Sequence, residues 1–193
     1  MNQATIPAEL GRRIRVVILD ADGVLTNGGI YVADGNGAPF EARKFHVHDG
    51  VGLLMLQRAG LGVAIVSGKL SAAVRARAED LGIEEVHQVD PYDKLPTVAA
   101  ILERAGADWG EAAYLGDDLA DLPVLRMVGL PGAVPQAARE VRQAACWVSA
   151  RGGGDGAVRE FAEALLSARG EWAALVEGFV EECFERWGGV ARG

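Results

Sequence analysis

The chain has 193 residues, of which 50% are hydrophobic, 24% charged and 6% aromatic. This composition is typical of a folded globular protein and the length is that of one compact domain, which excludes a disordered chain and a multi-domain machine. Acidic residues outnumber basic ones by 27 to 19, for a formal net charge of -8. Because no positive field draws such a protein to nucleic acid or anionic lipid, any phosphate group must be bound by local contacts.

The amino terminus and the cysteines bear on location. The first residues, MNQATIPAEL, contain no apolar run of signal-peptide length, and no later run approaches the ~18 apolar residues of a membrane span. Cys146 and Cys183 lie far apart without CxxC spacing, which favours reduced thiols over a disulfide or a zinc site. We therefore expect a cytoplasmic protein with neither a membrane nor a nucleic acid as partner.

Short β-type runs alternate with stretches of helical character. The β-type runs begin with residues 15–19 (RVVIL) and recur at 62–66, 85–87, 112–115 and 146–148. The helical stretches fall at about 51–60, 71–81, 94–105, 118–127, 135–144 and 156–168. This alternation predicts an α/β fold with a doubly wound parallel sheet.

Two segments depart from this alternation. Residues 29–47 contain two β-type runs around the Asp34-Gly35 and Asn36-Gly37 pairs, which predict a hairpin inserted after the first strand. Beyond Gly170, the apolar residues of EWAALVEGFVEECFERW recur at helical spacing and predict a terminal helix. We therefore predict a single domain over residues 1–169 and a helical extension over residues 170–193.

Carboxylates follow two of the predicted strands. Asp20 and Asp22 come directly after the first strand, and Asp117, Asp118 and Asp121 come after the strand that ends at residue 115. Ligands bind at the carboxyl edge of such sheets, where these side chains are expected to converge. Five neighbouring acids need a cation, and oxygen ligands without a thiol or imidazole cluster favour Mg²⁺.

Simpler interpretations exist for each acidic residue. A single Asp at a strand end often caps the following helix, although capping does not explain two clusters in phase with two strands. A calcium loop that starts at Asp20 would need ligands at the positions of Val24 and Tyr31, which cannot supply them. His46 and His48 alternate along the predicted hairpin strand and therefore share one face of it. They can form a second metal site, or they can be surface and packing residues.

Residues suited to phosphate binding follow two other strands. Ser67, Gly68 and Lys69 come after the second β-type run, and Lys94 opens a helix after the third. A hydroxyl, a glycine amide and an ammonium group are the parts that bind a phosphoryl group. In the order DxDG, SG, K and GDDxxD, these residues resemble the four motifs of the haloacid dehalogenase superfamily of phosphatases.

Five longer segments, DADGVLTNGGIYV, FHVHDGVGLLML, RARAEDLGI, GDDLADLPVL and RGGGDGAVRE, resemble the 3-deoxy-D-manno-octulosonate 8-phosphate phosphatases over about residues 14–168. The resemblance implies a small hairpin without a large cap domain, a homotetramer, and a Mg²⁺-dependent sugar-phosphate phosphatase of lipopolysaccharide synthesis. Lys69 stands where this family commonly has Arg, and the loop at 88–92 lacks the usual glycine after glutamine. A nonulosonate 9-phosphate or another small phosphate ester is the alternative substrate, and a non-catalytic metal-binding scaffold is the alternative function.

The resemblance also implies roles for individual residues. Asp20 corresponds to the nucleophile and Asp22 to the general acid and base. Mg²⁺ binding falls to Asp20, the Asp22 carbonyl and Asp117. Phosphate binding falls to Ser67, Gly68 and Lys94, and Asp118 and Asp121 correspond to residues that orient the site. Lys69, Arg77, Asp49 and Arg159 are candidates for substrate binding.

Several of these candidates have a simpler interpretation. Asp49 can instead cap a helix that begins at Val51, Arg77 can be a solvated helix residue, and residues 152–154 can be a plain linker. In the functional interpretation, the glycine loop at 152–154 is mobile and delivers Arg159 to the site of a neighbouring subunit. Apolar hairpin residues would be exposed in a monomer and buried in a tetramer, namely Ile30, Val32, Phe40, Phe45 and Val47.

Overall fold

The computed structural model describes residues 5–35 and 38–188. Across these residues the strands are β1 (Val16–Leu19), β2 (Tyr31–Gly35), β3 (Ala38–Ala42), β4 (Gly62–Ser67), β5 (Glu85–Gln88), β6 (Ala112–Gly116), β7 (Leu130–Ala133) and β8 (Trp147–Val148). Six of them form a parallel sheet in the order β5-β4-β1-β6-β7-β8, and β2 and β3 form a separate antiparallel hairpin.

The helices over the same residues are α1 (Ala8–Arg13), α2 (Val47–Arg58), α3 (Ala72–Asp80), α4 (Lys94–Ala105), α5 (Leu122–Leu125), α6 (Arg139–Ala144), α7 (Ala157–Arg169) and α8 (Trp172–Trp187). Helices α1 and α2 pack against α7 on one face of the sheet, whereas α4 and α6 pack against α5 on the other. Helices on both faces of a parallel sheet confirm the doubly wound fold.

The central strand determines where a site can form. All four residues of β1 are buried, as expected of a strand covered by helices on both faces. Leu19 at its end pairs with Ile65 of β4 and with Leu115 of β6, and the Asp20 amide donates to the Leu115 carbonyl at 2.9 Å. The carboxyl ends of the three strands therefore lie side by side, where the direction of chain progression across the sheet reverses.

The sequence prediction missed one strand and misplaced several helix ends. Strand β7 contains Pro131 and Gly132, two residues that are poor strand formers, yet the Pro131 carbonyl accepts from the Cys146 amide at 2.9 Å. The helix expected at 118–127 is one turn over residues 119–121 followed by the short α5, which has Pro123 in its first turn. Helix α6 begins four residues later than expected, and α1 was not predicted.

The hairpin is shorter than predicted, with strands that span residues 31–42. The Asn36-Gly37 pair lies outside the described residues. Ile30, Val32 and Phe40 are 51%, 68% and 54% exposed. The expectation that Phe45 is exposed was wrong, because Phe45 packs against the core after the hairpin has ended. Val47 is exposed, but it begins α2 and is not part of the hairpin.

Helix α8 packs on the domain through the first half of its apolar stripe. Trp172, Leu175 and Phe179 contact the core, and the Arg58 guanidinium lies 5.1 Å from the centre of the Phe179 ring. Further along the helix, Phe184 and Trp187 are exposed. None of the helices within residues 5–35 and 38–188 has the length and apolar character that crossing a membrane requires.

Candidate active site

The loop after β1 brings Asp20 and Gly23 against the loop after β6. Asp20 is buried, and Gly23 has φ +91°, in the region that favours glycine. A Cβ atom at Gly23 would lie 1.9 Å from Oδ2 of Asp117. Thr26 supports the turn, since its hydroxyl accepts from the Gly23 amide at 3.3 Å and donates to Oδ1 of Asp22 at 3.4 Å. Only a glycine at position 23 allows the two acidic loops to approach this closely.

Lys94 is a buried cation between two carboxylates. Its Nζ donates to Oδ1 of Asp20 and to Oδ1 of Asp121, both at 2.7 Å. Burial lowers the pKa of Lys94, but the attraction of Asp20 and Asp121 outweighs burial and raises it above the usual value. The ammonium group therefore stays charged and fixes one oxygen of Asp20.

The Asp121 carboxylate has its hydrogen-bonding capacity filled by the protein. Oδ1 accepts from the Tyr114 hydroxyl at 2.7 Å in addition to Lys94. Oδ2 accepts from the amides of Asp117 at 2.9 Å and Asp118 at 3.1 Å. These contacts hold the loop after β6 in place, and the orienting role of Asp121 stays a prediction.

Asp20 and Asp117 lie close to other carboxylates, and their surroundings disfavour the charged form of each. Burial, and secondly the neighbouring Asp121, raise the pKa of Asp20 well above its ordinary value, against the opposing effect of Lys94. Burial, with Asp121 and Asp118, raises the pKa of Asp117 to about 7. The negative charge of this cluster thus exceeds what Lys94 balances, and a bound cation would relieve the excess.

A cleft of about 280 Å³ opens over this cluster. It is lined by Asp20, Asp22, Gly28, Gly68, Lys69, Lys94, Asp117, Asp118, Ala120 and Asp121. Ser67 is buried beside the cleft, where its hydroxyl donates to the Lys69 carbonyl at 3.2 Å and shapes the turn after β4. The residues predicted to bind metal and phosphate therefore meet at one edge of the sheet.

The candidates for substrate binding are more scattered. Lys69 lines the cleft, with Nζ 3.0 Å from Oε2 of Glu41 on the hairpin. Arg77 lies on α3, where it pairs with Asp80 of the same helix at 2.6 Å. The alternative that Asp49 caps a helix starting at Val51 was wrong, because α2 already begins at Val47.

Asp49 instead caps a different helix. Its Oδ1 accepts from the Arg159 amide in the first turn of α7 at 2.8 Å, and burial raises the pKa of the Asp49 carboxyl. The Arg159 side chain donates to Glu163 at 2.6 Å and lies 5.0 Å from the centre of the Trp172 ring. The structure thus places Arg159 on the helical face that receives α8, and its contact with another subunit's substrate stays a prediction.

The glycine loop at 152–154 is packed against the loop after β1. A Cβ atom at Gly153 would lie 1.7 Å from the Gly23 carbonyl oxygen, and the Gly154 amide donates to the Val24 carbonyl at 3.1 Å. Gln136 also donates to the Gly23 carbonyl, at 2.8 Å. Of the three glycines predicted to be mobile, Gly153 and Gly154 are therefore required by close backbone packing in this structure.

The two histidines do not lie on a hairpin strand as predicted. His46 precedes α2 and His48 lies in its first turn, because β3 ends at Ala42. Their rings pack edge to face with centres 4.9 Å apart. Within residues 5–35 and 38–188, neither histidine belongs to a group of three side chains that could share a metal ion.

Comparison with known proteins identifies the family. No protein-family model matches the chain. The 3-deoxy-D-manno-octulosonate 8-phosphate phosphatase KdsC of Haemophilus influenzae is 36% identical over 170 residues, covering 87% of this chain and 92% of the relative. KdsC of Escherichia coli K12 is 39% identical over 158 residues, which are 82% of each chain. The chain belongs to the KdsC family.

A solved structure of the KdsC family agrees with this conclusion. The phosphatase of Moraxella catarrhalis, crystallised with a magnesium ion, a phosphate ion and a KDO molecule, superposes with a TM-score of 0.83 at 34% identity. The match covers 89% of this chain and 97% of the Moraxella chain. The core described above is thus that of a haloacid dehalogenase superfamily hydrolase of the KdsC family.

The acidic cluster of this KdsC family member fits Mg²⁺ as cofactor. One oxygen from each of Asp20, Asp117 and Asp121 lies within 4.8 Å of the others. Because Asp121 is saturated by the protein, Asp20 and Asp117 are the carboxylates free to bind an ion. Hard oxygen donors in a small number, at an open cleft, suit an ion that retains several waters.

The sequence analysis missed two residues that contact the acidic side chains of the site in this KdsC family member, Tyr114 and Arg43. Tyr114 lies in a buried strand, and its hydroxyl required a buried partner, which is a signal that could have pointed to Asp121. Arg43 follows β3 and its Nη1 lies 3.0 Å from Oδ1 of Asp22. No local pattern marks Arg43, since this contact joins the end of the hairpin to a separate loop that comes earlier in the sequence.

Proposed function

We propose that the protein is a Mg²⁺-dependent phosphomonoesterase that hydrolyses 3-deoxy-D-manno-octulosonate 8-phosphate to the free sugar acid and phosphate. The observation that carries the proposal is the cleft lined by Asp20, Asp22 and Asp117, in which Lys94 fixes the Asp20 carboxylate. Family membership and the ligands named for the Moraxella structure support the substrate. Lys69 adds a cation at the cleft mouth that suits an acidic sugar.

The first half of the reaction forms a covalent intermediate on Asp20. A carboxylate oxygen of Asp20 attacks phosphorus as the bond from phosphorus to the sugar oxygen breaks. Asp22 gives its proton to the departing oxygen, which leaves as an alcohol. Lys94 and the Gly68 amide stabilise the charge on the transferring group.

The second half returns the enzyme to its starting state. Asp22, now a carboxylate, takes a proton from a water molecule that attacks phosphorus. The bond from phosphorus to Asp20 breaks, which releases phosphate and restores the Asp20 carboxylate. Mg²⁺, held by Asp20, Asp117 and the Asp22 carbonyl, would offset the repulsion between the nucleophile and the phosphate.

The test is a panel of sugar phosphates with released phosphate measured in Mg²⁺ and in excess chelator. We expect 3-deoxy-D-manno-octulosonate 8-phosphate to be preferred over a nonulosonate 9-phosphate, and the activity to require Mg²⁺. The variant Asp20→Asn should fold normally and lose several orders of magnitude in rate, because an amide is not a nucleophile. Activity of Asp20→Asn near that of the wild type would refute the mechanism, and inactivity of the wild type on every phosphate ester would favour a metal-binding scaffold.

We further propose that the protein is a homotetramer in which neighbouring subunits complete each active site. We place this enzyme in the cytoplasm, where it would act at the step before sugar activation in lipopolysaccharide synthesis. Support comes from the exposed apolar side chains Ile30, Val32 and Phe40 on the hairpin. Light scattering should show a tetramer. Mixed Asp20→Asn and Arg159→Ala subunits should regain part of the activity, and a fully active monomer would disprove shared sites.

A further inference from the structure

Arg43 links the hairpin to the loop that holds Asp22. Its side chain is fully buried, with 0% exposed, and Nη1 lies 3.0 Å from Oδ1 of Asp22. On its other side, Nη2 lies 2.8 Å from Oε1 of Glu41, and Nε donates to that oxygen at 2.9 Å. The second oxygen of Glu41 lies 3.0 Å from Nζ of Lys69. A row of alternating charges therefore runs from Asp22 through the hairpin to the mouth of the cleft.

This row is poorly explained by stability alone. Burying a guanidinium group carries a desolvation cost that ion pairing only roughly repays, so a buried ion pair is weak evidence for a stabilising role. Within the described residues, neither Nη1 nor Nη2 has a hydrogen-bond acceptor in good geometry, although both lie at ion-pair distance from carboxylates. Arg43 thus attracts the Asp22 carboxylate mainly through charge, and not through an aligned hydrogen bond.

Asp22 needs such a partner because its own loop holds it weakly. Its backbone is extended, with φ −79° and ψ 116°, and its side chain is 27% exposed. The Thr26 hydroxyl donates to the same Oδ1 at 3.4 Å, which is long for a hydroxyl hydrogen bond. A general acid must be held within hydrogen-bond reach of the leaving oxygen, and the closer contact from Arg43 restricts where Asp22 can point.

We infer that Arg43 is a positioning residue for Asp22, so that the hairpin contributes to proton transfer as well as to the cover of the cleft. The inference rests on the proposed function, in which Asp22 is the general acid and base. Arg43 keeps its proton throughout, and Asp22 alone exchanges one with the sugar oxygen and with water. Glu41 holds Arg43 from the hairpin side and connects it to Lys69.

The experiment compares Arg43→Gln and Arg43→Lys on two phosphate esters, an alkyl phosphate that the wild type hydrolyses and p-nitrophenyl phosphate. An aryl oxide leaves without much protonation, whereas an alkoxide needs the acid. Arg43→Gln should lower kcat on the alkyl ester about 10- to 100-fold, the scale expected when a catalytic group is misplaced by about 1 Å. On the aryl ester the fall should be several-fold smaller, with KM little changed, and Arg43→Lys should recover part of the loss.

A double variant separates positioning from a general loss of folding. In an Asp22→Asn background, Arg43→Gln should cause little further loss on the alkyl ester, because the group that it positions is gone. Equal losses on both esters, a loss confined to KM, or additive losses in the double variant would overturn the inference. The matched control is Arg104→Gln, which removes an exposed pair with Glu85 and should leave both rates unchanged.

Two further outcomes are informative. If Arg43→Gln does not fold, Arg43→Lys and Glu41→Gln give the same comparison, and equal losses on both esters would again overturn the inference. If the wild type does not hydrolyse 3-deoxy-D-manno-octulosonate 8-phosphate, the proposed substrate is wrong. The role of Arg43 would still be decided by the ratio between another alkyl phosphate and the aryl ester.

Discussion

Replacing Lys94 with methionine removes a buried charge while keeping a side chain of similar length. Nζ lies 2.7 Å from one oxygen of Asp20 and 2.7 Å from one oxygen of Asp121. At an effective dielectric constant of about 20, each contact corresponds to about 6 kcal/mol of attraction, part of which offsets the desolvation of the ions. Removing one partner of a buried pair typically costs about 3–5 kcal/mol, and we expect Lys94→Met to lower the free energy of unfolding of metal-free protein by that amount.

Urea unfolding in excess chelator, followed by circular dichroism at pH 5 and pH 8, measures this loss. Burial and Asp121 already raise the pKa of Asp20 in the folded state, and removing Lys94 raises it further. The folded state therefore binds protons that the unfolded state has released, so stability from this source is present at low pH and is lost as the pH rises. The deficit of Lys94→Met should accordingly be smaller at pH 5 than at pH 8.

A matched control is Arg104→Met, which breaks an exposed ion pair with Glu85 and should cost less than about 1 kcal/mol. A deficit of Lys94→Met below about 1 kcal/mol at pH 8, or one that grows as the pH falls, would refute this account of the buried charges.

Two other predictions concern the metal and the glycine loop. Burial, with Asp121 and Asp118, raises the pKa of Asp117 to about 7 in metal-free protein, and Mg²⁺ must displace this proton. The affinity for Mg²⁺ should therefore fall about tenfold per pH unit below that value. Calorimetric titrations that measure the same Mg²⁺ affinity at pH 6 and pH 8 would contradict this prediction. Gly153→Ala places a Cβ atom 1.7 Å from the Gly23 carbonyl and should lower Tm by about 3–10 °C. Gly178→Ala on α8, where a Cβ atom meets nothing within 4 Å, should leave Tm unchanged or raise it, so equal effects would count against close packing at Gly153.

The parallel core and the meeting point of the acidic loops could be predicted because both depend on local pattern. A buried apolar run followed by Asp20 identifies a strand and its carboxyl end, and Asp117 follows a second such run. Strand β7 could not be found this way, since Pro131 and Gly132 are tolerated only through pairing with β6 and β8 on either side. Tertiary pairing overrides the local preference there.

Contacts between segments that are far apart in sequence account for the other differences between the predicted and the observed site. Asp49 looked like the cap of its own helix, whereas its acceptor oxygen serves α7. Arg43 carried no signal, because the hairpin must fold back before its guanidinium group reaches Asp22. The Arg159 side chain donates to Glu163 and lies over the ring of Trp172. Trp172 belongs to α8, and the periodicity of the sequence predicts this helix but does not show where it packs.

The packing of residues 153 and 154 against Gly23 and Val24 has a consequence during synthesis. A nascent chain that has left the ribosome only as far as β8 already contains Asp20, Asp22, Lys94 and every other side chain that lines the cleft. It still lacks the backbone that supports the turn after β1. We therefore expect catalytic competence to arise only when the segment that follows β8 has been translated and folded onto the loop after β1.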